Sequence, residues 1–280
     1  MPKKKMLMVL GGTRVGDTLH AIPFLKNACK DYSVHWVHGS YGKQAAQFIR
    51  DGIGDMDITL EQKTDVKLPD GLKDTMNFAT QNSDVFDYTG YDTIMPSIDS
   101  RKTGYPELVC HVTLNKEFSV CGVNFHRLKD SIVKLKDDPP QGEHIVVQPV
   151  TCSVWKNIPS FYDLPSQIFG DRTVYNVGLS NERTIKGPNV QITNGAHLAE
   201  VARLVRSARL VIAVHSSIAC LAYYMGAPLI CVAFGGGFYP FHESRPNNRT
   251  LVKPSKQELF AAINDYLANP RKRMEPEDLL

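Results

Sequence analysis

Residues 197–234 read HLAEVARLVRSARLVIAVHSSIACLAYYMGAPLICVAF, and this stretch decides the fold. Leu198, Val201, Ala202, Leu204 and Val205 recur at helical spacing and predict one amphipathic helix. RLVIAV predicts a buried strand and HSS a short loop. IACLAYYMG predicts a helix closed by Gly226, and PLICVAF a second buried strand. Strands alternating with helices build a parallel sheet with helices packed on its faces.

The same rhythm recurs upstream. HIVVQPV, SFYDLPSQIF and RTVYNVGL read as strand, helix and strand. At the start of the chain, Met6 to Leu10 reads as a strand and Thr18 to Lys30 as a helix. YSVHWVHG follows as a strand, Lys43 to Arg50 as a helix and YDTIMPS as a later strand. Residues 103–125 carry no decisive pattern, and 105–120 admit a helix. Between the halves, KLKDDPPQGEH combines charge, two prolines and a glycine, the composition of a linker. The expected organisation is an α/β domain over 1–137, a linker over 138–143 and a second α/β domain over 144–280. Each is a doubly wound sheet, the two face a cleft, and the end of the chain packs back on the first domain. Such sheets take their ligands at the carboxyl ends of the strands.

The composition fits a globular chain: 280 residues, 42% hydrophobic, 22% charged, with a formal charge of +3. So mild a basic balance admits an anionic substrate without demanding a nucleic acid. The apolar run after MPKKK is too short for a signal peptide, and no stretch is long enough to span a membrane. The six cysteines form no C-x-x-C pair and several lie in apolar runs, as reduced thiols do. The expected location is the cytoplasm. Cys110, His111, Cys121 and His126 gather potential metal ligands but lack the tight paired spacing of a zinc site, so no metal is expected.

Four segments could carry chemistry. LGGTRVGDTLHAIP has the glycines (Gly11, Gly16) and the hydroxyl (Thr18) of a phosphate-binding loop, but Asp17 stands where that loop needs lysine. A carboxylate repels phosphate, so a helix cap and a general base both remain open for Asp17. Gly12 and Gly16 form the glycine turn that leads into it. VVQPVTCSVWKNIPSFY places Thr151, Ser153 and Lys156 just past a strand end, a set suited to phosphate oxygens. In VIAVHSSIACL the amides of Ser216, Ser217 and Ile218 open a helix straight after a buried strand, which makes an anion seat. In AFGGGFYPFHE, Gly235 and Gly236 permit close approach of backbone to a ligand.

Together these segments resemble the heptosyltransferase-type glycosyltransferases of the GT-B fold. The family's G-D-x-x-x-x-x-P is similar to Gly16-Asp17 through Pro23. Its H-P-x-[ST]-x-x-x-x-K-x-W-P resembles QPVTCSVWKNIP, which sets Thr151, Lys156 and Pro159 on the family's positions. Its Leu-rich helix, D-S-G loop and following strand resemble Leu198 through Gly235 almost without gaps. The resemblance implies two Rossmann-like domains, with Asp17 as the base that deprotonates an acceptor hydroxyl. It implies a nucleotide-diphosphate sugar as co-substrate, held by Thr151, Lys156, His215, Ser216, Ser217, Ile218, Gly235 and Gly236, with Glu182 near the ribose. It implies no metal and no other cofactor. The chain departs from the family at His215 (Asp in the family), Ser217 (Gly), Cys220 (His), Ile158 (Trp) and Gln148 (His). The expected function is inverting transfer of a sugar to a glycan or glycolipid acceptor. Two alternatives stand beside it: a transferase acting on modified bases of DNA, and a sugar-nucleotide binder without catalysis. Asp55-Met56-Asp57 mimics a metal-binding D-x-D but falls in what reads as an acidic surface segment.

Overall fold

The computed structural model describes residues 2–10, 15–54, 56–67, 78–88, 90–96, 108–113, 121–124, 132–151, 161, 164–233 and 245–279. For residues 17, 41, 78, 79, 108–113 and 121–124 it describes the backbone alone. The chain divides into two compact units, Met1–Ser131 and Ile132–Leu280.

In the first unit, β1 (Lys4–Leu10), β2 (Tyr32–His38), β3 (Ile58–Gln62) and β4 (Thr93–Pro96) pair in parallel in the order β3-β2-β1-β4. β1 is buried from Met6 onward, so its apolar run packs on both faces as a central parallel strand requires. On one face Leu7, Val9, Val37 and Ile94 pack with Phe86. Residues Thr18 to Lys30, expected as one helix, form two: α1 (Val15–Leu19) and α2 (Ile22–Ala28), joined by a turn in which Ala21 N donates to Thr18 O at 3.1 Å. Pro23 is the cause. It lacks an N–H and clashes with the preceding turn, so it is tolerated only where a helix begins, its place in α2. Then come α3 (Lys43–Gly52) and α4 (Phe78–Gln81). The helix admitted over 105–120 is corrected by the structure. β5 (Leu108–Thr113) lies antiparallel to β4 and to β6 (Cys121–Asn124), in line with the β-branched residues Val109, Val112 and Thr113.

In the second unit, β7 (Ile145–Gln148), β8 (Val174–Asn176), β9 (Val190–Ile192), β10 (Leu210–Val214), β11 (Leu229–Ala233) and β12 (Asn248–Val252) form one wholly parallel sheet in the order β12-β11-β10-β7-β8-β9. Among its helices are α5 (Leu198–Ser207), α6 (Ser217–Tyr224) and α7 (Lys256–Ala268). Of the stretch SFYDLPSQIF, expected as a helix, Phe161 is helical and Ser166–Phe169 form a 3-10 turn whose start is set by Pro165 in extended conformation, while Ser160, Tyr162 and Asp163 lie outside the described residues. Ile145, Val147, Ile212, Val214, Ile230 and Val232 bury one sheet face against Leu259, Ala262, Ile263 and Tyr266 of α7. α7 opens on a capping box: Ser255 Oγ accepts from Glu258 N at 3.2 Å, and Glu258 Oε2 accepts from Ser255 N at 2.8 Å.

From Val133 onward, the segment with linker composition is bonded to this second unit. Val133 N donates to Tyr224 O at 2.9 Å and Gly142 N to Ser207 O at 2.7 Å. The centre of the attachment is Arg206, whose side chain is fully buried. It donates to both oxygens of Asp138, at 2.7 and 2.8 Å, to Glu275 at 2.6 Å and to Met225 O at 2.6 Å. The C-terminal residues lie over the same place: Met274 N donates to Gly226 O at 2.8 Å, and Arg273 Nη1 to Pro139 O at 2.6 Å. Gly226 has φ +66°, and a Cβ there would run into the Met274 carbonyl oxygen, so glycine is required twice over.

Burial pushes the Asp138 carboxyl up, but the hydrogen bonds and charge of Arg206, with Arg273 behind them, hold it below its ordinary 3.8. Burial acts likewise on Glu275, and the same two arginines hold it below 4.5. The stability these carboxylates contribute is therefore complete above those values and is lost as pH falls through the lowered ones. Arg206→Ala leaves them half-buried without their main cation, an expected loss of about 3–5 kcal/mol. Thermal melts should show a clear drop in Tm at neutral pH, with the gap from wild type closing below about pH 4. Equal melting at neutral pH would contradict a central role for Arg206.

Candidate functional site

The second sheet changes direction between β7 and β10. From β7 the chain proceeds outward through β8 to β9, and from β10 through β11 to β12. At such a switch point the loops leaving the two adjacent strands turn to opposite faces, and a crevice opens at their carboxyl ends. The register pairs Ala213 with Gln148, the last residue of β7, so the segment entering Thr151 starts beside the segment entering Ser216.

Ser216 joins the two strand ends. Its backbone is extended, its Oγ accepts from Ile218 N at 3.3 Å as the N-cap of α6, and its hydroxyl donates to Gln148 Oε1. Gln148 and Ser216 are both buried. His215 is buried too, and its backbone N donates to Val232 O at 3.0 Å, which holds the loop against β11. Ile218 turns into the core, whereas Ser217 is half-buried. Behind this start α6 is buried to its end, with burial keeping the Tyr224 phenol well above its ordinary value. Thr151, half-buried, ends the described stretch after β7. Helix-start amides with neighbouring hydroxyls can hold an anion.

Glu182 sits in the loop that leaves β8, next to β7 in the sheet. Its Oε2 accepts from Leu179 N at 2.9 Å, so the carboxylate is folded onto its own turn. That loop is organised by Asn176, fully buried at the end of β8. Asn176 Oδ1 accepts from Ile185 N at 2.9 Å and its Nδ2 donates to Asn194 Oδ1 at 2.8 Å. Asn194 Nδ2 in turn donates to Glu182 O at 3.2 Å. Sequence reasoning missed Asn176, and it noted Gln148 only as a departure from the family's histidine, not for its bond to Ser216. Each closes a strand, and a polar residue at a strand end has no local signature until its partner is beside it.

In the first unit, Gly16 and the backbone of Asp17 lie within α1, which starts at Val15. Asp17 is therefore the third helical residue and does not cap a helix beginning at Thr18. A first-turn aspartate still complements the positive end of the helix. The side chain of Asp17 lies outside the described residues, as do Gly12, Ser153, Lys156, Gly235, Gly236 and His126. Among the described residues, no three His, Cys, Asp or Glu side chains gather as a metal site, and no helix is long and apolar enough to cross a membrane.

No protein-family model matches this chain, and no curated protein does. Solved structures do. The glycosyl transferase family 9 protein from Veillonella parvula is 11% identical with a TM-score of 0.57, over 100% of this chain and 96% of its own. The E. coli ADP-heptose lps heptosyltransferase II is 10% identical with a TM-score of 0.57, over 95% and 99%. An E. coli heptosyltransferase solved with ADP is 14% identical with a TM-score of 0.52, over 95% and 97%. At such identities the likeness is one of fold: the chain has the GT-B fold, two Rossmann-like α/β units in succession.

Proposed function

We propose that this protein is an inverting glycosyltransferase that works without a metal ion. It moves a sugar from a nucleotide-diphosphate donor to a hydroxyl of a glycan or glycolipid. The observation that carries this reading is the start of α6 at the switch point of the second sheet, where Ser216 caps the helix beside the end of β7. The GT-B fold of the whole chain supports it. So does the fact that two of the similar structures are heptosyltransferases solved with ADP and with ADP-2-deoxy-2-fluoro heptose.

In this reading Asp17 takes the proton from the acceptor hydroxyl, whose oxygen attacks the anomeric carbon. The bond from that carbon to the diphosphate breaks on the opposite side, which inverts the configuration. Negative charge grows on the departing diphosphate, and fixed donors aimed at it lower the barrier. Lys156, Thr151, Ser217 and the first amides of α6 supply those donors, with His215, Ser216, Ile218, Gly235 and Gly236 shaping the seat. Glu182, on its braced loop, faces the ribose. A glycan or glycolipid acceptor is preferred to DNA because a net charge of +3 is modest and the basic residues of the first unit form no continuous block.

Asp17→Asn keeps shape and removes the base, so turnover should fall by roughly 10²–10⁴-fold while donor affinity stays the same. Unchanged turnover would leave Asp17 a first-turn helix residue with no chemical part. Lys156→Ala removes a cation from the diphosphate and should weaken nucleoside-diphosphate binding by about 1.5–3 kcal/mol in calorimetry. Unchanged affinity would make Lys156 a solvated loop residue. Tight binding without turnover toward any acceptor, water included, would favour the binder without catalysis.

A further inference from the structure

Resting on the donor seat proposed above, we infer a division of labour between its two serines. Gln148 is a positioning residue that ties up Ser216, and Ser217 is the hydroxyl that meets the phosphate oxygen. The argument is a count of protons and lone pairs. A serine hydroxyl has one proton to donate and two lone pairs to accept with. The proton of Ser216 goes to Gln148 Oε1, which as an amide oxygen can only accept. One lone pair of Ser216 Oγ is engaged by Ile218 N. What remains on Ser216 is a lone pair, which repels an anion.

Ser217 has the opposite balance. It is the first residue of α6, half-buried, and its Oγ has no hydrogen-bond partner among the described residues. Its backbone N–H belongs to the first turn, whose amides have no partner within the helix. Cys220 N is already bonded to Ser216 O at 3.1 Å and Ile218 N to the cap, which leaves the amides of Ser217 and Ala219. Amide and hydroxyl of one residue can thus converge on one oxygen. The Gln148–Ser216 bond also fixes the start of α6 to the end of β7, on which Thr151 follows. Gln148 acts through Ser216 and touches no substrate.

The experiment uses ADP, UDP and GDP as probes in titration calorimetry of the full chain, with thermal melts on every variant. Ser217→Ala should weaken the tightest-binding probe about tenfold or more at unchanged Tm. Gln148→Glu supplies the readout that a merely structural role would not move. A buried carboxyl is raised towards neutrality, and its protonated form has the shape of glutamine. Relative to wild type at each pH, binding by Gln148→Glu should therefore weaken as pH rises and the carboxylate forms beside the anion. Ser216→Ala and Gln148→Leu, alone and combined, should be coupled in melting because they remove one shared bond. An affinity unchanged in Ser217→Ala, or a pH-independent ratio for Gln148→Glu, would overturn the division while leaving the donor seat in place. Failure of the wild type to bind any of the three probes would remove the donor seat and the division with it.

Discussion

The parallel pairing of β7 with β10 is the constraint on which the second unit depends. The two strands are neighbours in the sheet, yet all of β8, β9 and α5 separates them in the chain. Parallel strands cannot be joined by a tight turn, so each must send its following segment away over a face of the sheet. Because β7 leads outward one way and β10 the other, their carboxyl ends are left side by side. Gln148 and Ser216 meet there because of that geometry, and their bond turns a gap between loops into a defined helix start. The apolar sequences of β10 and β11, buried along their whole length, hold the register on which this depends.

A second constraint lies at the other end of α6. The helix begins at the candidate seat and ends at Tyr224, whose carbonyl accepts from Val133, next to the Met225 carbonyl held by Arg206. The segment read as a linker, the C-terminal residues and α6 thus share one buried cation. Removing a partner of such a cluster costs far more than its net contribution when intact, because the remaining charges stay desolvated.

How much of this was legible depended on whether the signal was local. β10, β11 and the start of α6 could be read because apolar runs and a serine cap are signals carried by adjacent residues. Edge strands β9 and β12 could not, since VQI and NRTLV are half-exposed and carry little of the apolar pattern that marks a strand. α7 has its start signal in the sequence, Ser255 with Glu258 three residues on. KLKDDPPQ has the composition of a solvated linker, and only the fold shows Asp138 on a buried arginine 68 residues away. Arg206 likewise sits on α5 among residues whose spacing gave no hint that a charge would turn inward. Of the candidate site, Ser216 and Ser217 could be nominated because a serine pair after a buried strand marks a helix start, and Thr151 because the family motif sets it just past a strand end. The part played by Gln148 could not, because a glutamine closing a strand has no local signature until its partner is beside it.

The most direct test of a donor seat at this switch point is hydrogen–deuterium exchange of the full chain with and without a nucleoside diphosphate, using ADP, UDP and GDP in turn. If the seat is where β7 and β10 end, exchange slows in the peptides spanning 148–156 and 215–220 for the probe that binds. Binding with no slowing in those two segments, or with slowing confined to residues of the first unit, would contradict it.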